Sequence, residues 1–125
     1  MKKILLVEDD ATLAQVLVSV LVSAGYSVVV EKECDQAFAK THQFVPDLVV
    51  LNILLPGKNG WDLLKQLRTH PGCFCRQLPC LILSNVTTGG DDYGRAIEMG
   101  AVDYLVKANF TPGQIVARIK KILEP

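Results

Sequence analysis

Five short apolar runs alternate with longer amphipathic stretches along the chain. The runs cover residues 4–7, 28–30, 48–51, 81–83 and 104–106 and are rich in Val, Ile and Leu. Continuous apolar runs of this length are typical of strands buried on both faces of a parallel sheet. Between the runs, apolar residues recur at helical spacing. The clearest sets are Leu13, Val16, Leu17, Val20 and Leu21 in the first stretch, and Ile115, Ile119 and Ile122 in the last.

Turn and capping residues fall at the boundaries that this pattern predicts. Gly25 follows the first helical stretch and Gly100 the fourth, where a left-handed C-cap is expected. Asn59-Gly60 marks a turn before the third helix, and Pro112 suits the first turn of the fifth. The prediction is a (βα)5 chain of the doubly wound α/β class. Its five-stranded parallel sheet has the order 2-1-3-4-5, as in flavodoxin-like folds.

Composition limits the number of domains and the kinds of partner. The chain has 125 residues and is 50% hydrophobic, which suits a single domain over residues 1–125. Because 13 basic residues balance 13 acidic ones, no net charge attracts nucleic acid or an anionic membrane. The apolar runs are too short to span a bilayer, and Met1-Lys2-Lys3 leads into a strand rather than a signal peptide. We expect a cytoplasmic protein without direct nucleic acid or membrane contacts.

The four cysteines favour packing over chemistry. Cys34 and Cys80 lie in apolar-periodic segments and are expected to be small buried residues. Cys73 and Cys75 lie in a loop, where we expect ordinary thiols. A metal site or a redox role stays open as an alternative. The metal site is the less favoured interpretation, because the cysteine spacing lacks the paired C-x-x-C pattern of structural zinc.

Polar residues close four of the five predicted strands. Glu8 and Asp9 end the first strand, Asn52 the third, Ser84 the fourth and Lys107 the fifth. In a parallel sheet these positions share one edge, and ligands bind where the winding reverses, between strands one and three. The same rule applies to nucleotide-binding domains of this fold, so it locates a ligand site without identifying the ligand.

The residue types at this edge suit the chemistry of phosphate. Adjacent carboxylates such as Glu8 and Asp9 can supply oxygen ligands to Mg²⁺, which also keeps waters and substrate phosphate. A hydroxyl at Ser84 and an ammonium at Lys107 can hold phosphoryl oxygens. Each residue also has a structural alternative. The acids, most naturally Asp10, would cap the first helix, and the other two would be a turn residue and a surface lysine.

Over its full length the chain resembles the receiver domain of two-component response regulators, of the chemotaxis-response-regulator type. Three blocks carry the resemblance: ILLVEDD at 4–10, the PDL and LPGKNG segments between 46 and 60, and GAVDYLVK at 100–107. The resemblance implies a non-enzymatic signalling domain of a phosphorelay. It also implies a sensor histidine kinase or phosphotransfer protein upstream and an effector protein downstream.

The family's motifs also imply roles for individual residues. Glu8 and Asp9 would form the acidic pair of a Mg²⁺ site, completed by residue 52 and the backbone carbonyl of Leu54. The Ser84 hydroxyl would meet the phosphoryl group, with the Lys107 ammonium as its counter-charge. Tyr104 would be an aromatic switch whose rotamer follows the hydroxyl residue.

Three positions depart from the family's pattern. Asn52 stands where the resemblance implies the phosphoacceptor aspartate. Ala108 replaces the usual proline after Lys107, and we expect a trans peptide there because a cis bond before alanine costs ~3 kcal/mol. Asn85 follows Ser84 where a small residue is typical, which affects access to the site.

The amide at position 52 has a direct chemical consequence. An amide nitrogen is a weaker nucleophile than a carboxylate oxygen, because its lone pair is delocalised. The amide also removes one negative charge, and a unit charge pair at ~4 Å is worth roughly 4 kcal/mol at an effective dielectric near 20. We expect no phosphorylation by the family's route and only weak Mg²⁺ binding. Asn52 is either an engineered block or the native residue of a phosphate-independent receiver.

The oligomeric state and two other functions stay open. The expected partner surface is the fourth helix, fifth strand and fifth helix, where Arg95, Asp103 and Arg118 can form ion pairs. Exposed pairs are worth ~0–1 kcal/mol, so we expect a monomer or a weak homodimer. The alternative functions are an interaction-only adaptor and a flavodoxin-like nucleotide-binding domain. No G-x-G-x-x-G or G-K-[ST] phosphate loop follows the first strand.

Overall fold

The computed structural model describes residues 1–55, 57–71, 74–85 and 92–124. Five strands alternate with five α-helices, and two short 3₁₀ helices, η1 and η2, interrupt the pattern. In chain order the elements are β1 Lys3–Val7, α1 Ala11–Ser23, β2 Ser27–Glu31, α2 Cys34–Phe44, β3 Leu48–Asn52, α3 Gly60–Thr69, η1 Phe74–Arg76, β4 Cys80–Ser84, α4 Asp92–Glu98, β5 Asp103–Val106, η2 Lys107–Asn109 and α5 Pro112–Leu123.

The strands form one parallel sheet in the predicted order 2-1-3-4-5. Each predicted strand is confirmed to within one residue at either end. Every residue of β3 and β4 is buried, as expected for central strands covered on both faces. The prediction that every strand is buried on both faces is wrong for β2, whose residues are only half-buried. The reason is that β2 lies at the edge of the sheet and has a single neighbour.

Two apolar layers sandwich the sheet. On one face the sheet packs against α1 and α5 through Leu17, Leu21, Ile115 and Ile119. On the other face, side chains of α2, α3 and α4 form the second core, which contains Ala37, Trp61, Leu63, Leu64, Leu67 and Ala96. The helix predicted from this spacing is confirmed as α1. Its Leu17 and Leu21 side chains face the core as the periodicity indicates, but Val16 is exposed.

Capping follows the sequence signals closely. The Asp10 carboxylate accepts hydrogen bonds from the backbone N–H groups of Thr12 and Leu13, which confirms Asp10 as the cap of α1. Gly25 and Gly100 both have the positive φ expected at helix C-termini, +98° and +97°. Thr111 and Gln114 form a capping box around Pro112 at the start of α5.

The cysteine predictions are confirmed in part. Cys34 and Cys80 are buried free thiols, and burial is the main cause that raises the pKa of each to about 11. Cys75 is buried and disulfide-bonded, so the expectation of an ordinary loop thiol is wrong there. Cys73 lies outside the described residues. Within the part of the chain described above, no helix is long and apolar enough to cross a membrane.

Candidate functional site

The carboxyl edge of the sheet brings together most of the polar residues that the sequence singled out. Glu8 directly follows β1, Asn52 is the last residue of β3, and Lys107 directly follows β5. Ser84, the last residue of β4, is buried one position beyond Leu83, which pairs with Asn52 in the sheet. Because all strands run in parallel, their ends bring residues far apart in sequence to one edge.

The Asn52 side chain is the centre of this cluster. Its amide nitrogen Nδ2 lies 2.7 Å from Glu8 Oε2, 3.1 Å from the Leu54 carbonyl oxygen and 3.4 Å from Asp9 Oδ1. Its oxygen Oδ1 accepts a 3.3 Å hydrogen bond from the Leu54 backbone N–H. Rotating the amide by 180° would point an oxygen at three acceptors, so the network determines the orientation.

Glu8 is a buried carboxylate with both oxygens engaged. Lys107 Nζ lies 2.5 Å from Oε1, and Oε2 accepts from Asn52 and, at 3.2 Å, from the Asp10 backbone N–H. The Glu8 side chain is 1% exposed and that of Lys107 is 10% exposed. A buried ion pair of this kind is stable only when further hydrogen bonds satisfy the remaining polar groups. Here, Asn52 and Asp10 supply those bonds.

The arrangement does not fit a divalent cation as it stands. Mg²⁺ needs oxygen ligands at about 2.0–2.1 Å around a shared centre. The oxygens that the family resemblance implies as ligands, from Glu8, Asp9 and Leu54, converge instead on the Asn52 amide nitrogen, a hydrogen-bond donor. Within the described residues, no group of three or more His, Cys, Asp or Glu side chains is placed to hold a metal ion. The predicted metal ligands are therefore adjacent but engaged with an N–H donor.

The loop from β3 to α3 is held by contacts that the sequence did not reveal. The Gly60 backbone N–H donates to the Ile53 carbonyl at 2.7 Å, and a Cβ added at Gly60 would meet Asn52 O at 2.4 Å. From α2, the Cys34 thiol donates to the carbonyls of Lys58 and Asn59 at 3.1 and 3.2 Å. Sequence periodicity indicated that Cys34 is buried, but it carried no signal for this contact.

Tyr104, the predicted switch residue, is buried in the core beside α4. Its hydroxyl donates to Asp92 Oδ2 at 3.5 Å. Arg95, also on α4, stacks its guanidinium 4.2 Å from the centre of the Trp61 ring on α3. These two contacts attach α4 to its neighbours. The switching role of Tyr104 stays a prediction.

The charged residues of the expected partner surface are engaged within the chain. Arg118 Nη1 pairs with Asp103 Oδ2 at 2.7 Å, and its guanidinium lies 5.3 Å from the Phe110 ring centre. Arg95 stacks on the Trp61 ring. The oligomeric state stays a prediction.

Two further departures from the family's pattern, Ala108 and Asn85, lie at this edge. The described part of the chain has no cis peptide bond, so the trans bond expected between Lys107 and Ala108 is confirmed. Asn85 is exposed directly after Ser84.

A doubly wound five-stranded sheet with an acid pair, a serine and a lysine at its carboxyl edge defines a receiver-type fold. The sequence profile of the response regulator receiver domain matches residues 4–120. The chain therefore belongs to the response regulator receiver domain family.

Individual relatives agree with this assignment. The DNA-binding response regulator MtrA of Mycolicibacterium paratuberculosis is 37% identical over 95% of this chain and 50% of that protein. The transcriptional regulatory protein CpxR of Klebsiella pneumoniae is 41% identical over 98% of the chain and 50% of that protein. The chain thus spans about half the length of these curated relatives.

Solved structures of response regulators support the same family assignment. The BeF3-activated N-terminal receiver domain of Klebsiella pneumoniae RstA superposes with a TM-score of 0.85 at 32% identity, over 99% of this chain and 100% of that one. A response regulator from Chloroflexus aurantiacus superposes with a TM-score of 0.87 at 35% identity, over 99% and 98%. Receiver domains generally bind Mg²⁺ at their phosphorylation site.

Proposed function

We propose that this chain is a two-component receiver domain that signals through protein contacts and does not accept a phosphoryl group at position 52. The observation that carries the proposal is the Asn52 side chain, which lies 3% exposed at the end of β3 with its amide nitrogen donating to Glu8. A nucleophile for phosphoryl transfer needs an available lone pair. The lone pair of the Asn52 amide nitrogen is delocalised, and its N–H groups donate hydrogen bonds to the neighbouring carboxylates.

The partners follow from the family. A sensor histidine kinase or a phosphotransfer protein would dock upstream, and an effector protein would bind downstream. The relatives MtrA and CpxR are named as DNA-binding and transcriptional regulators, and each is about twice as long as this chain. Any output of that kind would therefore need a segment beyond the receiver. We propose a cytoplasmic location on the same family grounds.

Of the alternative functions, the adaptor differs from this proposal only in lacking an upstream kinase. A flavodoxin-like nucleotide-binding domain is disfavoured, because no G-x-G-x-x-G or G-K-[ST] phosphate loop follows β1. Nucleotide binding by the purified protein would revive it.

Restoring the acid tests the proposal. Asn52→Asp is nearly isosteric and supplies both a nucleophile and a third carboxylate beside Glu8 and Asp9. We expect the variant to take up one phosphoryl group from acetyl phosphate and Mg²⁺, and the parent chain to take up none. Intact-protein mass spectrometry on both forms measures this. A phosphoryl adduct on the Asn52 form would contradict the proposal, and no adduct on either form would show that the site has lost phosphotransfer altogether.

A further inference from the structure

We infer that the Asn52 amide takes the place of a divalent cation as the centre of the site, so that the folded domain is complete without metal and excludes it. The inference rests on the receiver site proposed above and concerns its regulation. The absence of an aspartate would weaken metal binding through charge alone. The geometry adds a second cause, which is that the amide group occupies the position where the cation's ligands meet.

The inference depends on the contacts of one atom, the amide nitrogen Nδ2 of Asn52. Three oxygens from three different positions of the chain, on Glu8, Asp9 and Leu54, lie within 3.4 Å of Asn52 Nδ2. These are the oxygens that the family resemblance implies as Mg²⁺ ligands. An amide NH₂ group carries two protons and partial positive charge, so it satisfies such acceptors as a cation would, at longer distance and without net charge.

Metal entry would have to undo this network. A cation needs the Asn52 oxygen in place of its NH₂ group, so the side chain would have to rotate. That rotation breaks the hydrogen bonds to Glu8 and Leu54 and also the bond from the Leu54 N–H to Oδ1. Lys107 adds a further obstacle, because its ammonium lies 2.5 Å from the other oxygen of Glu8. Any cation would therefore approach a positive charge and lose part of its carboxylate ligand.

The functional consequence is a receiver whose state does not depend on Mg²⁺. A ligand that binds only the folded state stabilises it by mass action. If the amide excludes the cation, adding Mg²⁺ should leave the stability of this domain unchanged. The site would then be held in one arrangement by its own side chains.

Asn52→Ala separates the two causes of weak metal binding, which are the missing negative charge and the amide group at the position of the cation. This variant keeps the formal charge of the site but removes the amide, so the oxygens of Glu8, Asp9 and Leu54 lose a shared donor and space opens between them. If charge alone weakened metal binding, the variant would bind Mn²⁺ as poorly as the parent chain. If the amide excludes the metal, the variant should bind Mn²⁺ at least about tenfold more tightly, which corresponds to the net free energy of one hydrogen bond.

The measurement is Mn²⁺ binding by electron paramagnetic resonance, together with melting temperature at increasing Mg²⁺. Asn109→Ala is the matched control, because it makes the same change at an exposed position of η2. We expect Mg²⁺ to raise the melting temperature of Asn52→Ala and not that of the parent or the control. Equal Mn²⁺ affinity in all three proteins would overturn the inference.

A measurement on the parent chain covers the case in which Asn52→Ala does not fold. The Asn52 side-chain NH₂ resonances, assigned by their loss in Asn52→Asp, should keep their shifts and line widths when Mn²⁺ is added. Broadening of these resonances at low Mn²⁺ would place the metal at the amide and overturn the inference. This outcome is distinct from failure of the proposed function, which is a phosphoryl adduct on the parent chain.

Discussion

Replacing Gly60 with alanine tests how tightly the loop after β3 is closed against the site. A Cβ at this position would lie 2.4 Å from the Asn52 carbonyl oxygen and 2.9 Å from Ile53 Cα. Both are backbone atoms, so no side chain can rotate to relieve the contact. Helix α3 also cannot move away freely, because its Gly60 N–H donates to the Ile53 carbonyl at 2.7 Å. The strain must therefore displace the end of β3 or the start of α3.

The expected loss of stability follows from two opposing terms. Overpacking of a well-packed region costs about 1–3 kcal/mol. Alanine recovers up to about 0.5–1 kcal/mol over glycine within a helix. Because the added Cβ would clash with backbone atoms, we expect an overpacking cost in the upper part of its range. The net loss in the free energy of unfolding is then about 2 kcal/mol. At about 2.1 cal/mol/K of unfolding entropy per residue, a chain of this length melts about 8 °C lower.

Gly113→Ala is the matched control for this substitution. Gly113 also lies in the first turn of a helix, but the nearest atom to an added Cβ is Thr111 Oγ1 at 3.9 Å. We expect this variant to be as stable as the parent or slightly more stable. Urea unfolding followed by circular dichroism measures both variants, with the slope m checked for a shared unfolded state. If the two variants unfold at the same urea concentration, the close approach of α3 to Asn52 is wrong.

Two further predictions concern the polar contacts. Lys107→Met leaves the buried Glu8 carboxylate without its cation and should cost about 3 kcal/mol in the free energy of unfolding. Glu8→Gln combined with Lys107→Met should recover most of that loss, and strictly additive losses would show that the pair is not coupled. Burial, followed by the hydrogen bond that its hydroxyl donates to Glu124, raises the pKa of Tyr26 from 10.0 to about 12. The protonated phenol therefore stabilises the fold below pH 10, and this stabilisation should disappear between pH 10 and 12. Tyr26→Phe should lose stability less steeply than the parent across that range, and equal slopes would refute the role of Tyr26.

The sequence by itself determined the fold and the edge at which the site lies. Buried strands of a parallel sheet are continuous apolar runs, and such runs are visible without any tertiary information. Capping signals at Asp10, Gly25 and Pro112 are equally local, since each depends on the backbone within one helical turn. The alternation of strands and helices then placed Glu8, Asn52 and Lys107 at one edge. The errors at Val16 and β2 arose because periodicity does not report how many neighbours cover an element.

Only the tertiary structure decided how the residues at that edge engage one another. Asn52 and Glu8 are 44 positions apart in sequence, and Lys107 and Glu8 are 99 apart, so no local pattern encodes which atoms meet. The same holds for the stacking of Arg95 on Trp61 and for the closeness of Gly60 to Asn52. The sequence indicated that an amide stands at the end of β3. The packed fold decided that its NH₂ group faces the acids, because that orientation alone matches donors to acceptors there.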